Sequence, residues 1–252
     1  MTIHLVIPDQ HAHPQHNNDR ADYLSKLIID LRPDVVINIG DAADMPSLSS
    51  YDKGKRSFHG RTYRADINAH LDFQDRLWGP VKKRKRKLPS RIFCIGNHEQ
   101  RIEKALDLSP ELAGSIGIED LNLREWYDTI VPYEGGTPGT ISIDNVRYAH
   151  YFVSGLMGRP IGGEHPGYSI LSKGFGSATC GHSHLFDISV RTNIDGQKIL
   201  GCTAGVYQDY DSDWAGVCNR LWSRGVLVKR NVSNGTYDPQ WISLEALKKE
   251  YS

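Results

Sequence analysis

A chain of 252 residues is long enough for one large α/β domain or two small ones. Its 30 basic and 30 acidic residues cancel, so no global field draws in a polyanion or an anionic surface. The 39% apolar content is ordinary for a soluble chain, and no apolar run nears the ~20 residues a membrane span needs.

The first predicted element is a buried strand, Ile3 to Pro8 (IHLVIP), which ends on Asp9, Gln10, His11, Ala12 and His13. Asp9 and His11 are two apart, so in extended backbone they share a face, a spacing that suits two ligands on one metal ion. A plain polar loop is the competing reading. The opening MTIHLVIPDQ lacks the basic segment and apolar stretch of a secretion signal. Cys94, Cys180, Cys202 and Cys218 are widely spaced with no CxxC, so reduced thiols and a cytoplasmic location are expected.

Ala21, Leu24, Leu27, Ile28 and Leu31 recur at helical spacing, with Asn17 or Asn18 as cap and Pro33 as stop. The strand Asp34 to Ile39 (DVVINI) follows and ends on Gly40, Asp41 and then Asp44, completing a βαβ unit. Residues 45–90 form an excursion: a Ser-, Gly- and Lys-rich loop to Tyr63, then an amphipathic helix from Ala65 to Trp78. Six cations, Lys82 to Lys87, close it and read as a solvated helix end or a phosphate-binding patch.

The stretch Arg91 to Glu99 (RIFCIGNHE) is a short buried strand that stops at Gly96 and presents Asn97, His98 and Glu99. In α/β folds ligands sit beyond the carboxyl ends of strands. The alternative is a turn in which Asn97 caps a helix starting near His98. A helix from Glu99 to Leu108 would point Arg101 back toward the strand end.

The second half is β-rich. Thr140 to Ile143 and Asn145 to Ala149 form a hairpin that delivers His150. An irregular loop at 153–167, which would serve as a lid, precedes a short helix from Tyr168 to Lys173. Ser177 to Cys180 ends on Gly181, His182, Ser183 and His184. Strands near Ile188 to Thr192, Lys198 to Cys202 and Gly225 to Lys229 and a helix from Leu244 complete one domain, 1–252, without repeat or linker.

Strand ends therefore carry, in order, Asp9/His11, Asp41, Asn97/His98, His150 and His182/His184. The donors are oxygen and nitrogen with no thiolate, which favours Mn, Fe or Zn in a working site over a cysteine-rich structural zinc. The order DxH, GDxxD, GNHE, H, GHSH resembles the calcineurin-like metallophosphoesterase family over Asp9 to His184, with details most similar to phage- and bacterium-encoded members. The resemblance implies a four-layer α/β sandwich, two mixed β-sheets flanked by helices, around two divalent metal ions, Mn foremost. Asp9, His11 and His184 would hold one ion, Asn97, His150 and His182 the other, and Asp41 would bridge. His98 would be the proton donor at the leaving oxygen, with Asp44 orienting it. Alternate residues of extended GHSH would let His182 and His184 reach adjacent ions.

Two features depart from the family's protein phosphatases. Met45 and Ile95 stand where those enzymes keep arginines, so Arg101, Arg61 and Arg64 are the candidates for gripping substrate. Tyr151 follows His150 where the family often has Gly. His13 and His165 read as supporting or surface residues. The favoured activity is hydrolysis of a phosphodiester in a nucleotide or nucleic acid. A phosphomonoesterase and a catalytically inactive metal-bearing binding module are the alternatives. A nucleic-acid binder using the basic run alone leaves the histidines unexplained. The segment Tyr51 to Arg64 is expected to shape the pocket, and the run Lys82 to Lys87 is not.

Overall fold

The computed structural model describes residues 2–84 and 86–252. The first half runs β1 (Thr2–Ile7), α1 (Asp19–Leu31), β2 (Val35–Asn38), α2 (Tyr63–Lys82), β3 (Ser90–Cys94), α3 (Gln100–Leu108), α4 (Leu123–Trp126) and β4 (Thr129–Val131). A small hairpin of β5 (Tyr133–Glu134) and β6 (Thr137–Pro138) leads into β7 (Ile141–Ile143) and β8 (Val146–Tyr148). Then come β9 (Val153–Ser154), β10 (Arg159–Pro160), α5 (Pro166–Gly174), β11 (Ala178–Cys180), β12 (Phe186–Thr192) and β13 (Lys198–Ala204). The chain closes with β14 (Gly225–Ser233), β15 (Thr236–Ser243) and α6 (Leu244–Tyr251).

Two larger sheets result. One has the order β15-β14-β1-β2-β3-β4, parallel from β1 to β4 and antiparallel at β14 and β15. The other has the order β12-β13-β11-β8-β7 and is also mixed. Strand alternation assigns the faces. Val6, Ile37, Ile39, Ile92 and Cys94 turn toward Tyr148, Leu200 and Cys202 of the second sheet. Leu5, Ile7, Val36, Phe93 and Ile95 turn the other way, into a core with α1, α2 and α6. Ile170 of α5 packs on Ala178 and Cys180 at the second sheet's outer side. The chain is thus mixed α/β, in an arrangement compatible with an α/β sandwich. No helix among the described residues is long and apolar enough to cross a membrane.

Several local readings need correction. The excursion's helix runs from Tyr63 to Lys82, starting under a Thr62 cap and continuing through Gly79 and Pro80. Eight of its side chains, including Phe73, Leu77, Trp78 and Val81, are buried, and that burial carries it past the proline. Asn18 is the first cap of α1 by position, yet its side chain makes no capping bond and donates instead to the Ala69 carbonyl and Asp72. Asn97 does not cap α3. The hairpin turn is as expected, with Asp144 and Asn145 both at positive φ (+49° and +61°), the signature of a primed turn. The irregular loop after His150 contains the two-residue strands β9 and β10. The cation run leaves α2 at the amino ends of the parallel strands, where Arg84, Arg86 and Lys87 line a hollow with Arg91. Lys85 of that run lies outside the described residues.

One charged side chain crosses the inter-sheet core. Lys229 of β14 is fully buried, donating to Thr179 Oγ1 at 2.6 Å and Tyr148 Oη at 3.2 Å, with its ammonium over the Tyr148 and Tyr237 rings. Burial drives its pKa from 10.5 down to about 7. An unfolded lysine stays protonated to ~10.4. Between those values the unfolded chain binds more protons, so this residue's contribution to stability rises with pH. At and below neutral pH the charged form must be accommodated in the fold at full cost. Lys229→Met is therefore expected to raise stability by roughly 2–4 kcal/mol near pH 7, the gain shrinking toward pH 10. Thermal melts of both proteins from pH 6 to 10 measure this, and a pH-independent difference contradicts it.

Candidate metal centre

Six of the seven residues expected as ligands are brought together with His98 at the carboxyl ends of β1, β2, β3, β8 and β11, all but His182 buried to 8% exposure or less or, for Asn97, half-buried; His182, the seventh, joins them half-buried at the rim. Three groups of donors could each hold a metal ion: Asp9, His11 and His184; His11, Asp41 and His98; Asp41, His150 and His182. The first and third match the expected division, with Asn97 Oδ1 2.9 Å from His150 Nε2 beside the third. The second brings His98 within reach of an ion as well, next to the proton-donor role expected of it.

The backbone that makes this convergence is not the one anticipated. His11, Asp41, His182 and His184 all sit at positive φ (+46°, +50°, +66° and +59°). Alternation along an extended strand therefore does not bring the DxH and GHSH side chains together. Tight left-handed turns immediately past the strands do, at a backbone cost that persists only where the surroundings over-determine it. Those surroundings are visible. Fully buried Arg20 donates to the carbonyls of Gln10, His11 and Tyr207, and Tyr210 Oη donates to the His11 carbonyl. The His182 N–H donates to Asp9 Oδ2 at 2.8 Å, and the His98 N–H to Asp41 Oδ1 at 2.8 Å.

Hydrogen bonds fix which ring nitrogen faces inward. A carbonyl only accepts, so His150 Nδ1, 2.9 Å from the Ile39 carbonyl, carries the proton. Its Nε2 then aims a lone pair at Asn97 Oδ1 (2.9 Å) and Asp41 Oδ2 (3.3 Å). His11 Nδ1 lies 3.0 Å from Asp44 Oδ1, leaving its Nε2 facing His184 Nε2 at 3.2 Å. His184 Nε2 is in turn 3.2 Å from Asp9 Oδ2, and the buried Asp9 Oδ1 has no partner. Imidazoles oriented from behind by a carboxylate or carbonyl, with their free nitrogens converging on carboxylates, are the usual surroundings of a metal ion. Crowded lone pairs of this kind need a proton or a cation between them, so the donor set fits a divalent ion.

The electrostatics agree. Burial opposes ionisation of Asp9 and Asp41, but the facing imidazoles outweigh it and hold both carboxyls below their ordinary range. Burial likewise opposes protonation of His150, yet Asp41 lifts it to about 9. His182, less tied to a carboxylate, falls to about 4 through burial and the neighbouring His150. The pocket demands positive charge.

Asp44 sits where expected and does more than expected. Its carbonyl is 2.7 Å and its Oδ1 3.1 Å from His98 Nδ1, and the same Oδ1 meets His11. Arg101 donates to the carbonyls of Asp44 and Met45 and to His98 Nε2 at 3.0 Å, so it is at the site with part of its fork already engaged. Arg61 pairs with Asp52 at 2.7 Å and lines the hollow beside His98, whereas Arg64 is exposed on α2 and does not line it. Met45 and Ile95 are buried in the core. His13 is half-buried, its Nε2 3.8 Å from Asp44, and His165 is exposed ahead of α5. Tyr151 lays its ring against His150 and His182.

Arg20 and Tyr210 were not singled out from sequence, and Glu99 and Trp222 were noted there without a role at the site. Only Glu99 carried a signal, its place directly after the Asn–His pair. Trp222 stands edge-on to His184 with ring centres 4.4 Å apart.

Gly181 offers a direct test of the Asp9 assignment. A Cβ there would lie 2.1 Å from Asp9 Oδ1 and 3.2 Å from Ile39 Cδ1. Gly181→Ala is expected to keep its circular-dichroism spectrum but lose Mn²⁺ affinity by about 10-fold or more in calorimetric titration, as displaced metal surroundings do. Unchanged affinity would remove Asp9 from the ligand set. Neither protein-family models nor curated proteins searched with this sequence give a match, so the chemistry of the site rests on its geometry.

Proposed function

We infer that this protein is a metal-dependent phosphoester hydrolase of the calcineurin-like metallophosphoesterase type, acting by preference on a phosphodiester of a nucleotide or nucleic acid. The observation that carries the reading is the set of inward-facing nitrogens of His11, His98 and His150 around Asp9, Asp41 and Asn97, with His98 lining one open hollow and Asn97 another. The order of the two layered sheets and their helices supports the sandwich that the resemblance implies. Mn is the favoured ion, with Fe or Zn as alternatives, because the donors are imidazole, carboxylate and amide oxygen.

Asp9, His11 and His184 would hold one ion and Asn97, His150 and His182 a second, with Asp41 between them. When bound, such ions polarise a phosphoryl oxygen and acidify the attacking water. The chain's own residues supply the rest. His98 lines the hollow with Nδ1 held by Asp44, and its Nε2 accepts from Arg101; proton delivery from Nε2 requires that bond to be exchanged and the ring to be doubly protonated, with the Asp44 carboxylate as counter-charge. Arg101 is the one arginine touching His98 and stands in for the arginines absent at Met45 and Ile95. A single, partly engaged guanidinium grips a dianionic monoester poorly and a singly charged diester well enough, which favours the diester over the monoesterase reading.

Hydrolysis of a phosphomonoester, a phosphodiester and a short oligonucleotide by metal-stripped protein, with Mn²⁺, Zn²⁺ or Mg²⁺ restored, tests the activity. Asp41→Asn is expected to abolish turnover and lower occupancy at both ions. His98→Ala is expected to retain metal and lose roughly 10²–10⁴-fold in rate, less for a nitrophenolate leaving group. Metal loss from His98→Ala would place His98 among the ligands, through the group it forms with His11 and Asp41. Full turnover and metal content in Asp41→Asn would refute the two-ion site.

A further inference from the structure

Two hollows open from the metal centre and share Arg101 in their walls. One, of about 510 Å³, lies on the His98 and Asp44 side, under Arg61, Tyr210 and Trp214. The other, of about 400 Å³, lies on the Asn97 and His182 side, walled by Tyr151, Leu108 and Leu112. A phosphomonoester has one carbon-bearing substituent on phosphorus and needs one such space. A phosphodiester has two.

Charge in the larger hollow limits what can enter it. Its walls carry three cations, Lys55, Arg61 and Arg101, against four carboxylates, Asp44, Asp52, Asp211 and Asp213. Asp52 already binds both Lys55 (3.2 Å) and Arg61 (2.7 Å). No surplus of positive charge awaits a second phosphate, which a nucleic-acid strand or a polyphosphate would bring. The six-cation run cannot supply it, since the described cations of that run lie at the opposite, amino ends of the strands.

The same hollow is rich in flat surfaces. His16 and Tyr210 stack with ring centres 3.7 Å apart and planes 5° from parallel. Trp214, which lines the same hollow, is 68% exposed; behind it Trp222, outside the lining, lies 5.8 Å away and meets His184. A chain of aromatic contacts therefore leads from the candidate ligand His184 through Trp222 to Trp214, whose exposed indole lines the hollow. Exposed indoles beside a reactive centre are stacking platforms for bases.

We propose, building on the hydrolase reading above, that the substrate is a phosphodiester whose leaving arm is an uncharged nucleoside seated between Trp214 and the His16–Tyr210 stack. The second arm occupies the hollow beside Tyr151 and Leu108. The P–O bond to the nucleoside breaks, the oxygen of water bonds to phosphorus, and the departing oxygen takes a proton on the His98 side. The products are a nucleoside alcohol and a phosphomonoester of the other arm.

The test uses Mn²⁺-loaded full-length protein and four probes: p-nitrophenyl phosphate, a dinucleoside monophosphate, the same compound bearing a terminal phosphate on its leaving arm, and a single-stranded oligonucleotide. The dinucleoside monophosphate is expected to have the highest kcat/KM, with the terminally phosphorylated form at least 10-fold lower. Trp214→Ala is expected to raise KM for the dinucleoside by about 5- to 50-fold with kcat within about two-fold, and Trp214→Phe to recover most of it. Tryptophan-fluorescence titration with the dinucleoside monophosphate reads binding independently of turnover. Better turnover of the oligonucleotide, of the terminally phosphorylated compound or of the monoester alone would overturn the proposal while keeping the hydrolase reading. So would an unchanged KM in Trp214→Ala. Trp214-dependent binding with no hydrolysis of any probe would overturn the hydrolase reading and keep the pocket. Absence of both binding and hydrolysis would overturn both.

Discussion

One buried carboxylate holds the centre in shape. Glu99 accepts the backbone N–H groups of Asp41 (3.0 Å), Ala43 (3.0 Å) and Gly96 (2.8 Å), tying the chain that leaves β2 to the chain that leaves β3. Burial and the nearby Asp41 charge both raise its pKa, and the three N–H dipoles are what make its place tenable. The two loops come so close that a Cβ on Gly96 would lie 2.2 Å from Asp41 Oδ1, and one on Gly40, at φ +94°, would lie 2.6 Å from the Cys94 carbonyl. Glycine at both positions is a steric requirement. Asp41 reaches His98, His150 and His11 only because this junction sets it there.

Around that junction the fold concentrates acceptors that repel one another. Asp9, Asp41, Asn97 and the inward-facing imidazole nitrogens converge, with the groups of donor atoms within 4.8 Å of one another and four of the site's residues in left-handed backbone. Strain and repulsion of this kind persist because rigid elements stand behind them. Arg20 buttresses the loop after β1, Asp44 holds two rings at once, and the Ile39 carbonyl fixes a third. A bound cation would convert the repulsion into coordination, so metal binding and the stability of the centre are linked.

The hollows are built from other material. The core strands supply only the floor. The walls come from the excursion after Asp41, through Asp52, Lys55 and Arg61, and from the segment between β13 and β14, through Tyr210 and Trp214. Those two stretches line one hollow with His98 although some 150 residues separate them in sequence. The candidate ligands come from strand ends and the walls of the hollow from loops, as is usual when a rigid scaffold carries variable connections.

The sequence by itself determined four of the six strands of the larger sheet, β1, β2, β3 and β14, their polar endings and the residue types of the centre. Short apolar runs closed by Gly and followed by Asp, Asn or His are local patterns, and local patterns are what a sequence displays. It also pointed to Asp44, which lies against His98, and to the excursion, whose Asp52, Lys55 and Arg61 line the hollow beside it. Tertiary structure decided the rest. Alternation could not foresee the left-handed turns at His11, His182 and His184, because those are imposed by contacts with Arg20, Tyr210 and Asp9 across the fold. Arg61 and Arg64 are three apart and looked equivalent, yet helix α2 begins between Arg61 and Arg64 and turns one to the hollow and the other to solvent. β15 went unread because its half-exposed edge position lets Asp238, Pro239 and Gln240 interrupt any apolar pattern. Trp214 gave no sign, and Trp222 only that of a strand start, since an aromatic side chain joins a site only when the sheet order brings Trp222 beside His184 and Trp214 beside Trp222.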